Sequence, residues 1–346
     1  MFNDLLTPRE RIGLLLIDEI PDRVVTYPLI TSHSATVSGC TVAEYCTNGK
    51  TLAYAQITAW RLYHHDAISI FTDVGLIAET FGSQYAFRPN DIPILIEPAL
   101  SDIRHIDRLT IPDIESAGRI PVYKEAIERC YDSVGDIVPI IAFIPAPFTT
   151  AAQLRGIASF LRDTIRFPQE AHRLLQISTE VVQSVIDVCM ERGALPMLVD
   201  PLASNSVISP ITFTRFALPY TAQLMQYMHH YDLDTMLHIC GETELILDAI
   251  LTVGADLFSF DKNAHDVTRE KLGTAIRLIG NIKPNDLLFG SPKQIYETVK
   301  QTVLALKDSP KGFVIATGCE VPIATPKENV EAFISAAHTY GTYWEQ

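Results

Sequence analysis

Apolar residues fall along the chain in short runs, each followed by a stretch in which apolar positions recur with helical spacing. Eight runs are read as strands, over 24–29, 67–71, 140–143, 195–199, 236–239, 257–260, 276–279 and 313–316. Their shortness and unbroken apolar character predict strands buried on both faces, and their alternation with helices predicts parallel βα units. Eight such units point to an α/β fold, a (β/α)8 TIM barrel. An open doubly wound sheet is the competing architecture. That fold carries a Gly-rich phosphate-binding turn after its first strand, and none follows Leu29. The intervals after the first and second strands are long enough for extra helices. They also hold a polar, Pro-bearing excursion over 88–119, expected to decorate the barrel mouth. The whole chain, 1–346, reads as a single barrel domain with additional N-terminal helices and loop decorations.

Composition narrows the setting. A chain of 346 residues that is 47% hydrophobic can bury a large core. Its 41 acidic against 27 basic residues give a net charge of −14, with no basic run, which argues against a nucleic-acid partner. No segment approaches the ~20 apolar residues needed to cross a bilayer, so no membrane partner is expected. The first residues, Met1 to Arg11, mix acid and base and precede only a brief apolar stretch at 13–17, unlike an export signal. Six cysteines without framework spacing suggest a reducing, cytoplasmic setting, where thiols more often bind metal than pair. Cys40, Cys46, Cys130 and Cys189 read as core residues.

His238-Ile239-Cys240 ends the fifth strand. Residues two apart on an extended chain project from the same face, so His238 and Cys240 can meet one ion. Alone, a His-x-Cys pair is more often a buried polar group beside a small hydrophobe. Cys319 changes the weighing, because it follows the eighth strand in Thr317-Gly318-Cys319-Glu320-Val321-Pro322, a loop by its Gly and Pro. Barrel enzymes build their sites from the C-terminal ends of strands. Zinc takes imidazole nitrogen at roughly 2.0–2.1 Å and thiolate sulfur at roughly 2.3 Å, and three protein ligands leave one position open for chemistry. The same rim carries Asp73, Asp200, Asp261 and Asn281. Asp200 and Asp261 are candidates to hydrogen-bond the His238 ring or to complete the metal's coordination. For Asp200 the alternative is a capped turn, and for Asn281 a bond to its own loop. His64-His65 and His229-His230, being adjacent, face different ways and read as structural or solvated.

The chain resembles the uroporphyrinogen decarboxylase superfamily, and within it the cobalamin-dependent methyltransferase branch. The resemblance runs through Ile144-Pro145-Ala146-Pro147-Phe148-Thr149, Asp200-Pro201-Leu202-Ala203-Ser204, Leu237-His238-Ile239-Cys240-Gly241, Gly280-Asn281-Ile282 and Gly318-Cys319-Glu320-Val321-Pro322. It implies Zn2+ on His238, Cys240 and Cys319, with methylcobalamin or a protein-bound methylcorrinoid as co-substrate. It also implies a corrinoid protein and a small thiol, such as coenzyme M, as partners. Glu79, in Ala78-Glu79-Thr80-Phe81-Gly82, matches a family pattern and joins Asp200, Asp261 and Asn281 as a candidate site residue. The decarboxylase branch carries an arginine-rich signature after its first strand. Here the segment is Thr31-Ser32-His33-Ser34-Ala35-Thr36, without arginine, which disfavours porphyrinogen decarboxylation. Three alternatives stay open: a decarboxylase-like enzyme acting on a tetrapyrrole, a demethylating enzyme that loads the corrinoid from a methylated substrate, and a non-catalytic corrinoid-binding barrel. No Asp-x-His-x-x-Gly sequence occurs, so the corrinoid is expected as a dissociable co-substrate.

Overall fold

The computed structural model describes residues 4–344. Eight parallel strands form one sheet: β1 (Val25–Tyr27), β2 (Ile68–Ile70), β5 (Ile140–Pro145), β6 (Leu195–Val199), β7 (Met236–Ile239), β8 (Leu257–Phe260), β9 (Arg277–Ile282) and β10 (Phe313–Thr317). A separate antiparallel pair, β3 (Gln84–Arg88) and β4 (Asp91–Glu97), lies between β2 and β5 in the chain. The ladder runs in the order β1-β10-β9-β8-β7-β6-β5-β2. Asp66 bridges its two ends. Its N–H donates to the Thr26 carbonyl at 2.8 Å, and its carboxylate accepts the Thr26 N–H at 2.6 Å. The fold is the expected TIM-barrel-like one, with a side chain replacing part of the ladder at one seam.

Alternation along the strands sorts two apolar layers. Val25, Tyr27, Ile141, Phe143, Met197, Val199, Met236, Leu257, Ile279, Val314 and Ala316 form an interior cluster. The intervening residues, such as Ile68, Ile70, Ile140, Ala142, Leu198, Leu237, Phe258 and Ile315, join the larger cluster that includes the helices. Cys46, Cys130 and Cys189 are buried there, as expected, while Cys40 is only half-buried against it. Continuing the inward register past Met236 and Leu257 gives His238 and Ser259, which face each other in the β7–β8 pairing. The period of two thus turns a polar pair toward the barrel interior at its C-terminal end.

The N-terminal end is closed by helix α1 (Pro8–Leu16), begun by a capping box between Thr7 and Glu10. Leu15 enters the interior cluster. Arg277 donates to the carbonyls of Leu15 at 2.9 Å and Leu16 at 2.6 Å, satisfying the helix's last acceptors. Arg11, wholly buried, forks onto Asp22 at 2.7 and 2.8 Å and reaches Asp66 at 2.7 Å. Arg23 grips the same Asp66 carboxylate at 2.7 and 3.0 Å. The residue that closes the seam is therefore charged, buried and held by two guanidiniums.

Beside it, His65 is fully buried, with neither ring nitrogen hydrogen-bonded among the described residues. Burial lowers its pKa to about 4, with Asp66 only partly opposing. The unfolded chain takes up this proton below about 6.5 and the folded chain does not until about 4, so the site's contribution to stability falls as pH drops through that window. His65→Phe keeps a buried ring without a titrating nitrogen. Urea unfolding between pH 7 and pH 4 is expected to show the variant losing less stability per pH unit than the wild type, by up to about 1.4 kcal/mol.

The excursion over 88–119 begins in the β3–β4 hairpin, whose Ile92, Ile94 and Ile96 are exposed. No helix among the described residues is long and apolar enough to cross a membrane.

Candidate metal centre

Three strand ends build the site. His238 is the third residue of β7, Cys240 follows that strand, and Cys319 lies two residues beyond β10. Ligand atoms of the three all lie within 4.8 Å of one another. A tetrahedral shell at zinc bond lengths spaces its ligand atoms by about 3.5–3.8 Å, so small side-chain adjustments suffice to close the triad on an ion. The Cys319 loop is pinned by Leu29 N–H on Thr317 Oγ1 at 3.0 Å, by Gly318 N–H on the Ile282 carbonyl at 2.8 Å and by Val321 N–H on the Leu29 carbonyl at 3.0 Å. Gly318 is required by close approach, because a Cβ there would stand 2.9 Å from Asp261 Cα.

His238 is buried, and its Nδ1 bonds Ser259 Oγ at 2.9 Å. That contact orients the ring and leaves Nε2 for an ion. The two thiols lie close enough for each to act on the other's ionisation. The Cys319 thiol beside it lowers the Cys240 pKa, and the Cys240 sulfur, with burial, pushes Cys319 well above the ordinary thiol value.

The four acid and amide candidates have other partners. Asp200 does not bond the His238 ring. Its carboxylate accepts Thr149 N–H at 2.9 Å and Thr149 Oγ1 at 2.6 Å, capping the helix Pro147–Arg155 from a neighbouring strand end. Burial raises its pKa to about 7. Asp261 does not bond the ring either. It accepts Gly241 N–H at 2.9 Å, shaping the turn after Cys240, and burial raises its pKa. Asn281 donates to the carbonyls of Asp261 and Asn263 at 2.9 and 3.0 Å and meets His265 Nε2 at 2.5 Å, so it ties the neighbouring loop rather than its own. Glu79 pairs with Arg119 at 2.5 Å and does not line the central pocket. Arg119 also holds Asp73 at 2.6 Å. Of the adjacent histidine pairs, His65 is buried while His64, His229 and His230 are exposed.

A cavity of about 70 Å³ adjoins the triad, lined by Leu29, Phe71, Val74, Phe143, Val199, Pro201 and Glu320. Glu320 received no role from the sequence, although it adjoins Cys319. Its carboxylate accepts a short hydrogen bond from Thr31 Oγ1, in the segment where decarboxylases were expected to carry arginine. Ser259 was likewise missed. Its signal was a lone hydroxyl in Leu257-Phe258-Ser259-Phe260, on the inward face.

A family model for uroporphyrinogen decarboxylase (URO-D) matches residues 7–340. The chain is 32% identical to a methylated-thiol–coenzyme M methyltransferase of Methanosarcina mazei, over 76% of this chain and 70% of that one. It is 28% identical to the methylcobamide:CoM methyltransferase MtaA of Methanosarcina barkeri, over 94% of each. Among solved structures, a methyltransferase from Methanosarcina mazei superposes with a TM-score of 0.89 at 26% identity, covering 97% of this chain and 99% of that one. Together these place the chain in the uroporphyrinogen decarboxylase (URO-D) family, in its cobalamin-dependent methyltransferase branch.

Proposed function

We propose that this protein is a zinc-dependent methyltransferase that moves a methyl group between a methylated corrinoid and a thiol. The observation that carries the reading is the convergence of His238, Cys240 and Cys319 beside a small cavity at the C-terminal end of the barrel. The names of the relatives supply the corrinoid and the thiol. Donor chemistry agrees, since two thiolates and an imidazole suit zinc and leave room for one further sulfur. Bound zinc supplies a substrate thiolate at neutral pH by stabilising the ionised sulfur. The chain's residues do the rest. Ser259 fixes the His238 ring, the apolar walls exclude water from the attacking sulfur, and Cys240 and Cys319 bring two negative charges that keep it electron-rich. In the overall reaction the thiol proton leaves, the sulfur–carbon bond forms and the carbon–cobalt bond breaks, with its electron pair remaining on cobalt. The corrinoid, free or on a partner protein, is a dissociable co-substrate.

The reverse direction, loading a corrinoid from a methylated thiol, is favoured by one observation: the relative at 32% identity is named for a methylated thiol. Purified protein incubated with methylcobalamin and a thiol panel tests the first reading by loss of the methyl–cobalt absorbance. Cob(I)alamin with methylated thiols tests the second. Zinc absent from active protein, or full zinc with neither conversion, contradicts the proposal.

Ser259→Ala gives a graded check. Removing the hydroxyl that holds His238 Nδ1 is expected to weaken zinc affinity by about 10- to 100-fold while leaving the fold intact, measured by competition with a chromogenic chelator.

A further inference from the structure

The barrel holds a second, separate space. Around its axis at the N-terminal end, over the floor made by Ile12, Leu15 and Leu16, lies a cavity of about 130 Å³. Each strand of the main sheet, or the residue just before it, contributes to the wall, from Val25 and Ala67 at the seam to Met236 and Leu257 opposite. No residue lines both this space and the metal-site cavity. On β6, Leu195 belongs to the lower wall and Val199 to the upper, and Met197, wholly buried, stands between them.

Side-chain size explains the space. At this level β1 and β10 pair Val25 with Val314, and Ala67 enters where β2 begins, so the seam side sends only short side chains to the axis. Exposure agrees. Inward-facing Leu15, Ile141, Met236 and Leu257 keep 5–6% of their surface accessible, against 0–1% for outward-facing Ile68, Ile140, Leu237 and Phe258. The half-buried Leu16, Leu195 and Leu233 mark the side on which the cavity meets solvent. Polar groups are few: the Tyr27 hydroxyl is bonded to Ser69 Oγ at 2.8 Å, and Asp232 and Asp234 stand at the edge, on the turn before β7.

We propose that this chamber is a binding site for a small uncharged apolar molecule about the size of a benzene ring, separate from the metal site. The inference does not depend on the methyltransferase reading. A water needs two to four polar partners, which these walls do not offer, and an apolar cavity of about 150 Å³ stays dry and takes benzene or xenon. An occupant restores the dispersion contacts that the lining side chains lack on their inner side. An anionic molecule is disfavoured, because the lining carries two carboxylates and no lysine or arginine.

Crystals of the full chain under xenon pressure are expected to show a peak on the axis between Leu15, Ile141 and Met236. Benzene is expected to raise the thermal midpoint of the zinc-loaded protein saturably, and benzoate to bind at least about tenfold more weakly. Ala67→Leu sends three more carbons into the space and is expected to weaken benzene binding at least about tenfold, with circular dichroism and zinc content checking that it folds. Leu257→Ala enlarges the space and is expected to gain binding of indole that the wild type lacks, which keeps the test decisive if Ala67→Leu folds poorly. No axial xenon peak, benzoate binding as tightly as benzene, unchanged benzene affinity in folded Ala67→Leu, or no gain of indole binding in Leu257→Ala overturns the inference.

Discussion

Cys319→Ala is expected to lose most of its zinc and, with it, methyl transfer. Three ligands give the ion little redundancy, and deleting a thiolate removes both a bond and one of two charges that offset the metal's own. Disturbing an outer-shell partner already costs about 10- to 100-fold in metal affinity or activity, so loss of a ligand is expected to exceed about a hundredfold. Elemental analysis after dialysis against a weak chelator reads the metal, and the methylcobalamin assay reads the chemistry. Cys240→Ala is expected to match it. Asp200→Ala, by contrast, removes a helix cap 2.9 Å from Thr149 N and is expected to retain zinc. Full occupancy in both cysteine variants would refute the ligand set. Acid is expected to strip the site as well, since imidazole and thiolates bind metal only when deprotonated.

Asp66→Ala is expected to be the most damaging single change to stability, lowering it by about 3–5 kcal/mol. It leaves two guanidiniums, Arg11 and Arg23, buried without the carboxylate they share, and it leaves the Thr26 N–H without its acceptor, although the backbone bond from residue 66 to the Thr26 carbonyl remains. In the intact protein burial alone would raise the Asp66 pKa, yet Arg23 and Arg11 hold it below the usual carboxylate range. Its contribution is therefore present above the unfolded value and is lost as pH falls through the folded one. Removing a surface pair is a useful contrast. Lys271–Asp248, with the aspartate side chain 82% exposed, is expected to change stability by less than about 1 kcal/mol. Urea unfolding of both variants at neutral pH checks the difference, and similar midpoints would show that the seam network contributes little.

Much of the barrel was legible because its signal is local. β6, β7 and β8 begin and end where their apolar runs do. β1 and β2 are shorter than their runs, 24–29 and 67–71, because pairing is incomplete at the seam and apolar character alone does not report partners. β9 runs past its apolar core to Ile282, because pairing with β10 carries Gly280 and Asn281 along. The β3–β4 hairpin was hidden for another reason. It packs outside the main sheet, Pro93 interrupts its second strand, and its isoleucines are exposed instead of marking a core.

At the centre, the meeting of His238, Cys240 and Cys319 was readable from residue type and strand position. The supporting contacts were not. A carboxylate was the expected partner for the His238 ring, and only the β7–β8 register shows that Ser259 stands opposite it. Glu79 and Arg119 are 40 residues apart, as are many pairings that no local pattern announces.

The seam also separates two walls of the cavity beside the metal site. From β7 to β10 the sheet is continuously hydrogen-bonded, so the strand ends that carry His238, Cys240 and Cys319 form one stiff arc. Leu29 and Phe71 follow β1 and β2, on opposite sides of the break, and both are walls of the cavity. Leu29 is tied to the Cys319 loop, so a substitution that widened the break would move the Phe71 wall and leave the ladder that carries His238, Cys240 and Cys319 intact. Substitutions there should alter which substrates enter without altering how firmly the ion is held, and affinity and tolerance in this barrel become separately adjustable.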